Sequence, residues 1–208
     1  MIASTPKPLI EKIPIMESFY TIQGEGGHSG KAAYFIRTGG CDVGCHWCDV
    51  KESWEAKDHP LKSVNELVQM AKSHPAEIIV VTGGEPLMYH LESLTNALHL
   101  AKKRTHIETS GVYPITGDWN WICFSPKKFK PPLEEFYIKS HELKVVIYHK
   151  ADLDWAVTHS SKMNPQAQWY LQPEWSRQEE MLPLIIEFVK ENPRWAISLQ
   201  THKYMNIP

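Results

Sequence analysis

Two kinds of hydrophobic pattern alternate along the chain. Short apolar runs predict buried strands, and longer stretches whose apolar residues recur every three or four positions predict amphipathic helices. The predicted strands span residues 34–37, 77–82, 105–108, 121–124, 143–148, 168–171 and 196–199. The predicted helices span residues 64–73, 87–103, 151–159 and 177–191. Strands and helices therefore follow one another in turn.

This alternation predicts βαβ units, and thus an α/β fold with a mostly parallel sheet. A complete eight-unit barrel typically needs about 250 residues, whereas this chain has 208. We therefore expect an abbreviated, incomplete βα barrel. No repeat or change in composition divides the chain, so we expect a single domain over residues 1–208, in which residues 1–15 form an N-terminal extension or edge segment.

The composition narrows the functional classes. Apolar residues make up 42% of the chain and charged residues 22%, as in ordered globular proteins. The formal net charge of −2 and the lack of a dense basic patch argue against direct nucleic-acid binding. No apolar run is long enough to cross a membrane, and the N-terminus lacks the apolar stretch of a signal peptide. We therefore expect a cytoplasmic protein with neither a nucleic-acid nor a membrane partner.

Polar motifs follow most of the predicted strands. They occupy residues 38–41, 82–86, 108–111, 125–127, 172–173 and 200–202. Ligands of parallel α/β folds bind at the carboxyl ends of the strands. Because these motifs share that position, we expect them to meet at one site.

The first of these motifs leads into a cysteine-rich loop. Cys41, Cys45 and Cys48 have the spacing C-x3-C-x2-C. Three thiolates on one short loop can hold three irons of a 4Fe-4S cluster, which leaves the fourth iron open for chemistry. Cys123 lies far away in an apolar strand, where a small buried side chain is the simpler interpretation.

A structural zinc site is the alternative for the same loop, with His46 or Cys123 as the fourth ligand. Zinc loops favour two paired arms of cysteine or histidine, and the sequence shows no second arm. This alternative predicts a non-catalytic zinc or iron–sulfur module. The two interpretations differ in the metal that the purified protein would contain.

The cysteine loop, with Trp47 before its last cysteine, resembles the signature of the radical S-adenosylmethionine superfamily. A second motif, Gly-Gly-Glu-Pro at residues 83–86, resembles the turn with which this superfamily binds its cofactor. Glycines let the backbone approach a ligand closely. The resemblance implies that the amino and carboxylate groups of S-adenosylmethionine chelate the open iron. It further implies that one-electron cleavage releases a 5′-deoxyadenosyl radical, which abstracts hydrogen from the substrate.

The resemblance also implies cofactor contacts at successive strand ends. Each short motif alone is equally typical of an ordinary turn, so the prediction depends on their shared position. The residues assigned to the cofactor in this way are Trp47, Cys48, Asp49, Gly84, Glu85, Thr109, Ser110, Ser125, Pro126, Lys127, Gln172, Pro173, Glu174 and Trp175.

Features around the loop resemble one family within the superfamily, the 7-carboxy-7-deazaguanine synthases. They are the run Phe-Tyr-Thr-Ile-Gln-Gly-Glu-Gly at residues 19–26, Arg37, Thr82 and residues 200–208, so the resemblance covers nearly the whole chain. It implies a radical ring contraction of 6-carboxy-5,6,7,8-tetrahydropterin to 7-carboxy-7-deazaguanine with loss of ammonia. This reaction belongs to queuosine and 7-deazapurine biosynthesis. S-adenosylmethionine would be regenerated in each turnover.

The same resemblance assigns the substrate contacts. An arginine fork suits the substrate carboxylate, and the polar groups around Gln23 suit the edge of a pterin. The assigned residues are Ile22, Gln23, Gly24, Glu25, Arg37, Thr82 and Pro208. The family further implies an electron donor such as flavodoxin or ferredoxin, and a homodimer.

A glycyl-radical-enzyme activase is an alternative within the same superfamily. It would share the cysteine loop and the glycine turn, yet act on a glycine of another protein. Such an activase has no evident use for residues 23–26, Arg37 or Pro208. The product formed with a carboxylated tetrahydropterin would distinguish the two activities.

One position departs from the family pattern. The family carries a hydroxyl residue directly after Cys-Asp, where it helps to hold Mg²⁺, whereas this chain has Val50. Mg²⁺ needs oxygen ligands. Either Asp49 holds the ion together with substrate and water, or no Mg²⁺ is needed. We therefore expect a weaker Mg²⁺ dependence than in relatives that carry the hydroxyl.

Overall fold

The computed structural model describes residues 12–208, and in that part of the chain nine strands form one sheet. The strands are β1 Lys12–Ile22, β2 Ala32–Thr38, β3 Leu61–Ser63, β4 Ile78–Gly83, β5 Arg104–Thr109, β6 Trp121–Phe124, β7 Glu142–Ile147, β8 Gln168–Pro173 and β9 Trp195–Ile197. The α-helices are α1 Val64–Lys72, α2 Glu92–Leu100, α3 Glu135–Lys139, α4 Asp152–Ser160, α5 Gln178–Glu191 and α6 Thr201–Met205.

The sheet is open and mostly parallel. Its strand order is β3-β1-β2-β4-β5-β6-β7-β8-β9, so β3 and β9 are its edges. In the order β2-β4-β5-β6-β7-β8-β9 neighbouring strands pair in parallel, and a helix lies in every connection except that from β5 to β6. Strand β1 pairs antiparallel with β2 and with β3. The predicted α/β fold with an incomplete βα barrel is therefore confirmed.

The two faces of the sheet differ sharply in polarity. Alternate residues of the parallel strands, such as Ile79, Ile107 and Val145, are buried against the helices in the main hydrophobic core. The residues between them point into the barrel interior, and many are polar, including Glu108 on β5 and Lys144 on β7. Successive residues of a strand face opposite sides of the sheet. Each parallel strand therefore contributes apolar residues to the core on one side and polar residues to the barrel interior on the other.

Helix α1 begins where the sequence places it. Ser63 accepts a hydrogen bond from the backbone of Glu66, and the Glu66 side chain accepts one from the backbone of Ser63 at 2.7 Å. This capping box satisfies backbone donors that the first helical turn leaves free. Leu67, Val68 and Ala71 then pack into the core from one face of the helix.

Several elements differ from the predictions. Strand β1 was missed because Pro14 and a bulge between Ile15 and Glu17 interrupt its alternation. The short elements β3, α3 and α6 were also missed, since each spans only three to five residues. The predicted helix at residues 87–103 was wrong at both ends, because α2 covers only Glu92–Leu100. Tertiary contacts hold the residues before it, since the backbone of Leu91 donates to Thr116 at 3.1 Å.

The prediction of a single domain over residues 1–208 stays a prediction. Residues 12–15 form the start of β1, and residues 1–11 of the expected extension lie outside the described residues. Over residues 12–208, no helix has the length and apolar character that a membrane crossing requires.

Candidate active site

A cavity opens at the carboxyl ends of the parallel strands, on the interior side of the sheet. Its volume of about 240 Å³ is several times the roughly 30 Å³ that one water molecule occupies. Both ends of the described chain contribute to its wall, from Phe19 on β1 to Pro208 after α6. The cavity is therefore large enough for an organic ligand and lies where ligands of α/β folds bind.

The cysteine loop forms one side of this cavity. Cys41, Cys45 and Cys48 all line it, and the backbone of Cys48 donates to the carbonyl of Cys45 at 3.0 Å in a tight turn. The backbone of Cys41 donates to the carbonyl of Trp54 at 3.1 Å, which anchors the loop to the following segment. The three cysteines thus line one cavity from a short, internally bonded loop.

Cys45 is buried, and Cys41 is partly buried. Burial raises the pKa of Cys41, and it raises the pKa of Cys45 to about 11. Thiolates rather than thiols are metal ligands, so binding of an iron–sulfur cluster here must release protons.

The alternative zinc ligands lie elsewhere. The ring of His46 packs edge-on against Phe129 and Tyr148. Cys123 is buried on β6 and donates to Glu142 at 3.4 Å. Neither His46 nor Cys123 is among the cavity-lining residues. Within residues 12–208, no three cysteine, histidine or carboxylate side chains converge closely enough to ligate a single ion.

The glycine turn packs directly on the cysteine loop. A Cβ atom at Gly84 would overlap the carbonyl oxygen of Gly40, and the backbone of Glu85 donates to that same oxygen at 2.8 Å. Only glycine allows so close an approach of two backbones. The turn after β4 is therefore fixed against the residue that precedes the first cysteine.

Glu85 is the structural centre of this corner. Its carboxylate accepts hydrogen bonds from the backbone of Leu87, from the hydroxyl of Thr109 at 2.6 Å, and from the backbone of Ser110 at 2.9 Å. The side chain is 1% exposed. These bonds tie the ends of β4 and β5 together and fix the hydroxyls of Thr109 and Ser110 at the cavity wall.

Two further strand ends complete the cysteine side of the cavity. After β6, the ammonium of Lys127 donates to the carbonyl of Ser125 at 2.8 Å and lies 5.7 Å from the ring centre of Trp47. Burial lowers the pKa of Lys127. After β8, Glu174 caps a short turn by accepting from the backbone of Ser176 at 3.2 Å.

The opposite side of the cavity carries the residues around the end of β1. Arg37 on β2 forms an ion pair with Glu17 at 3.1 Å, and its guanidinium lies 5.2 Å from the ring centre of Phe19. The side-chain amide of Gln23 donates to Glu108 at 2.9 Å and accepts from the backbone of Glu25 at 3.1 Å. These bonds fix the orientation of the Gln23 amide, whose nitrogen faces Glu108 and whose oxygen faces the backbone of Glu25.

Helix α6 closes the cavity from the far end of the chain. The backbone of Thr201 donates to the carbonyl of Gly24 at 2.9 Å, and the ammonium of Lys203 pairs with Asp49 at 2.7 Å. After the helix, Asn206 adopts a left-handed conformation with φ 55°, which turns the chain back so that Pro208 lines the cavity. The helix thus joins the β1 turn to the cysteine loop.

Sequence reasoning missed several cavity residues. Lys144 faces the interior as a lone charge within β7, and a single charge in a strand carries no motif. Glu108 was noted only as the first residue of the polar motif 108–111, and His202 only as part of a terminal motif. The ring of His202 packs against Gly24, and burial lowers its pKa. The alternation of β7 was the only available signal for Lys144.

Comparisons with known proteins agree with this geometry. Residues 35–118 match the model of the radical SAM superfamily. A 7-carboxy-7-deazaguanine synthase of Flavobacterium psychrophilum is 57% identical over 198 residues, which cover 95% of this chain and 94% of that protein. Another, from Synechocystis, is 46% identical over 194 residues and covers 93% of both chains. The chain belongs to the 7-carboxy-7-deazaguanine synthase family.

A solved structure of a family member has the same fold. The crystal structure of QueE from Escherichia coli superimposes with a TM-score of 0.80 at 28% sequence identity, and the match covers 90% of this chain and 93% of that chain. The 7-carboxy-7-deazaguanine synthase family therefore accounts for both the sequence motifs and the open sheet. As members of the radical S-adenosylmethionine superfamily, its enzymes use a 4Fe-4S cluster and S-adenosylmethionine.

Most residues predicted from the family pattern come together in the cavity. Pro126 and Pro173 do not line it, and their contacts with cofactor stay predictions. The predicted residues that line the cavity are Ile22, Gln23, Gly24, Glu25, Arg37, Cys41, Cys45, Trp47, Cys48, Asp49, Val50, Thr82, Gly84, Glu85, Thr109, Ser110, Ser125, Lys127, Gln172, Glu174, Trp175 and Pro208.

The family's Mg²⁺ position is poorly matched by the side chains present. Val50 lines the cavity with a side chain that has no oxygen. The carboxylate of Asp49 already pairs with Lys203 at 2.7 Å and lies 3.4 Å from the amide of Gln200. Mg²⁺ requires oxygen ligands in near-octahedral geometry, so these residues do not fit a dedicated magnesium site.

Proposed function

We propose that this protein converts 6-carboxy-5,6,7,8-tetrahydropterin into 7-carboxy-7-deazaguanine with loss of ammonia, in queuosine or 7-deazapurine biosynthesis. One observation carries the proposal. The three cysteines that suit an iron–sulfur cluster share a single cavity with Arg37 and the turn around Gln23, which suit a carboxylated pterin. A cofactor at the cysteine side would thus lie next to a substrate at the other side.

The chemistry of the donor set fits the cofactors of the superfamily. Three thiols line the cavity beside backbone that is packed too tightly for any side chain at Gly84. Cys41, Cys45 and Cys48 would hold the cluster, and the adjoining turn and strand ends would hold S-adenosylmethionine. When bound, these groups supply the radical that removes a hydrogen atom from the substrate.

The remaining residues bind and orient the substrate. The planar fork of Arg37 pairs with the carboxylate of the pterin, because an arginine can donate two parallel hydrogen bonds to a carboxylate. Its bond to Glu17 fixes one edge of the guanidinium and leaves other N–H groups free to turn toward the cavity. Thr82, Gln23 and the backbone of Gly24 face the ring, and Pro208 covers it.

Partners and location form part of the same proposal. Reducing equivalents would come from a donor such as flavodoxin or ferredoxin, and the active protein would be a homodimer. Because the three cysteines must stay reduced to hold a cluster, we place the protein in the cytoplasm. Mg²⁺ would have at most a supporting role, since Val50 supplies no ligand.

The experiment is an anaerobic turnover assay. The protein is purified anaerobically, reconstituted with iron and sulfide, reduced with dithionite, and supplied with S-adenosylmethionine and the carboxylated tetrahydropterin. We expect a brown protein that forms 7-carboxy-7-deazaguanine, detected by absorbance and mass. Deoxyadenosine without a deazapurine would support the activase alternative, and zinc without iron would support the metal module.

Cysteine variants provide the matched comparison. Cys45→Ser removes one cluster ligand, so we expect the bound iron and the turnover to be lost together. Cys123→Ser changes the same atom on β6, outside the cavity, and we expect it to keep both. If Cys45→Ser retained its full iron content, the proposed ligand set would be wrong.

A further inference from the structure

Lys144 carries a positive charge deep in the barrel interior. It lies on β7, its side chain is 5% exposed, and it lines the floor of the cavity. Its ammonium pairs with the carboxylate of Glu25 and lies 3.5 Å from that of Glu108. A buried lysine is costly unless it is paired, so this arrangement requires an explanation beyond folding.

The floor carries more negative than positive charge. One ammonium faces the two carboxylates of Glu25 and Glu108, which leaves one excess negative charge. Burial on its own would raise the pKa of Glu25, but the charge and hydrogen bond of Lys144 outweigh it and lower that pKa to about 2. The same carboxylates raise the pKa of Lys144 despite its burial.

This charged group orients the residues that face the ligand. Glu108 accepts from the amide of Gln23 at 2.9 Å and from the hydroxyl of Thr82 at 3.5 Å. Glu25 accepts from the amide of Gln200 at 2.8 Å. Lys144, which contacts both carboxylates, therefore connects the turn after β1 with the ends of β4 and β5.

We propose that Lys144 is a positioning residue that holds the carboxylates of Glu25 and Glu108 in place, so that the cavity floor offers acceptor oxygens to the N–H groups of the substrate ring. This inference rests on the proposed function. A 2-amino-4-oxo-tetrahydropterin presents several N–H donors along its ring, and an ionised carboxylate only accepts hydrogen bonds. The excess negative charge matches such a ligand.

Loss of the Lys144 ammonium would change the hydrogen-bonding groups that the cavity floor offers to a ligand. Without Lys144, two half-buried carboxylates would share the cavity floor with no cation between them, and one would take up a proton. A protonated carboxyl offers an O–H donor where the ring needs an acceptor. The titratable groups that surround Lys144 and its two partners are Cys123, Lys127, Glu142 and His202.

The test compares kinetic pH profiles. Lys144→Met should raise KM about tenfold or more at neutral pH, the cost of a lost hydrogen bond to a charged group, with a smaller change in kcat. Its kcat/KM should recover as the pH rises, because the protonated carboxyl then ionises. The wild type should show no such rise, since the pKa of Glu25 is already low.

A double variant separates positioning from folding. Lys144→Met with Glu25→Gln removes the ammonium and one carboxylate together, so a single negative charge remains. We expect this protein to fold and to lose the pH-dependent recovery, while KM stays raised. If Lys144→Met fails to fold, the double variant carries the test alone, and an unchanged KM there would overturn the proposal.

A matched control and the wild type complete the design. Lys139→Met removes an exposed lysine that pairs with Glu135 on α3, and its kinetics should equal those of the wild type. A Lys144→Met protein with reduced stability but wild-type KM and pH profile would show a purely structural role. A wild type that forms no deazapurine would instead overturn the proposed function, so the two failures are distinct.

Discussion

At the scale of single residues, Val50 most clearly sets this chain apart from the family pattern. It lies where the resemblance to the family implies a metal-binding hydroxyl, and its side chain, which lines the cavity, supplies no oxygen. Its neighbour Asp49 is paired with Lys203. A divalent ion would have to displace that ammonium or rely on substrate and water alone.

We therefore expect only a small effect of Mg²⁺ on the wild-type enzyme. Removal of Mg²⁺ with a chelator should change kcat/KM by less than about threefold, because the protein itself supplies at most one oxygen ligand to the ion. Val50→Thr should make the rate rise with added Mg²⁺. Val50→Ile, which has no oxygen, is the matched control. A strong and saturable requirement in the wild type would contradict the prediction.

Single residues also show what sequence patterns can predict. The spacing of the cysteines identified the loop, because three ligands of one cluster must lie close together in a short segment. Glu108 and Lys144 gave no such signal. Their pairing with each other and with Glu25 depends on strand register, and register is decided by the whole sheet.

At the scale of elements, α6 combines structural and functional roles. It binds the β1 turn through Thr201 and the cysteine loop through Lys203, and the left-handed turn at Asn206 brings Pro208 to the cavity. The helix therefore places Pro208 at the wall of the cavity, where the proposed function assigns it a substrate contact.

A C-terminal extension should weaken substrate binding. We expect a short tag after Pro208 to raise KM about tenfold, the effect of roughly one lost hydrogen bond, as measured near the Michaelis constant. Affinity for S-adenosylmethionine is the internal control, since Pro208 is not among the predicted cofactor contacts. A tagged enzyme with unchanged KM would show that Pro208 does not contact the substrate.

Elements were predicted well where local and tertiary preferences agree. The apolar periodicity that predicted a helix at residues 64–73 agrees with the capping box at Ser63, where α1 begins. The segment before α2 has a helical pattern, yet Tyr89 donates to the carbonyl of Gly39 at 2.7 Å and this contact holds it near the cysteine loop. Strand β1 was hidden because its bulge shifts the alternation by one residue.

At the scale of the whole molecule, buried histidines should make stability depend on pH. Burial lowers the pKa of His106 to about 3 and that of His159 to about 4. It also lowers the pKa values of His28 and His141. Below pH 6.5 the unfolded chain binds protons that the folded chain does not, so acid favours unfolding.

The free energy of unfolding should therefore fall as the pH falls from about 6.5 toward 4. Each fully buried histidine contributes about 1.4 kcal/mol per pH unit in this range. Burial raises the pKa of Glu142, so this carboxyl group stabilises the folded state as the pH falls. The opposing effect of several buried histidines is larger than that of this one group. Urea titrations at several pH values measure the slope.

Two histidine variants check the assignment. His106→Phe removes a titrating group that is 3% exposed, so the slope should decrease by about 1.4 kcal/mol per pH unit. His90→Gln, which replaces an exposed histidine, is the matched control. Equal slopes in the wild type and in His106→Phe would show that this ring is not the acid-sensitive group.

The contact between α6 and the turn after β1 has a consequence for the order in which the protein matures. During synthesis on the ribosome, the cysteine loop and the glycine turn emerge long before residues 200–208. A nascent chain therefore carries the cysteine ligands before the cavity wall is complete. Thr201 and Gln200 complete that wall through their hydrogen bonds to Gly24 and Glu25. A chain cut short near residue 199 would keep the cysteine loop and the turn after β1, and would lack the part of the cavity wall that Gln200, His202 and Pro208 form.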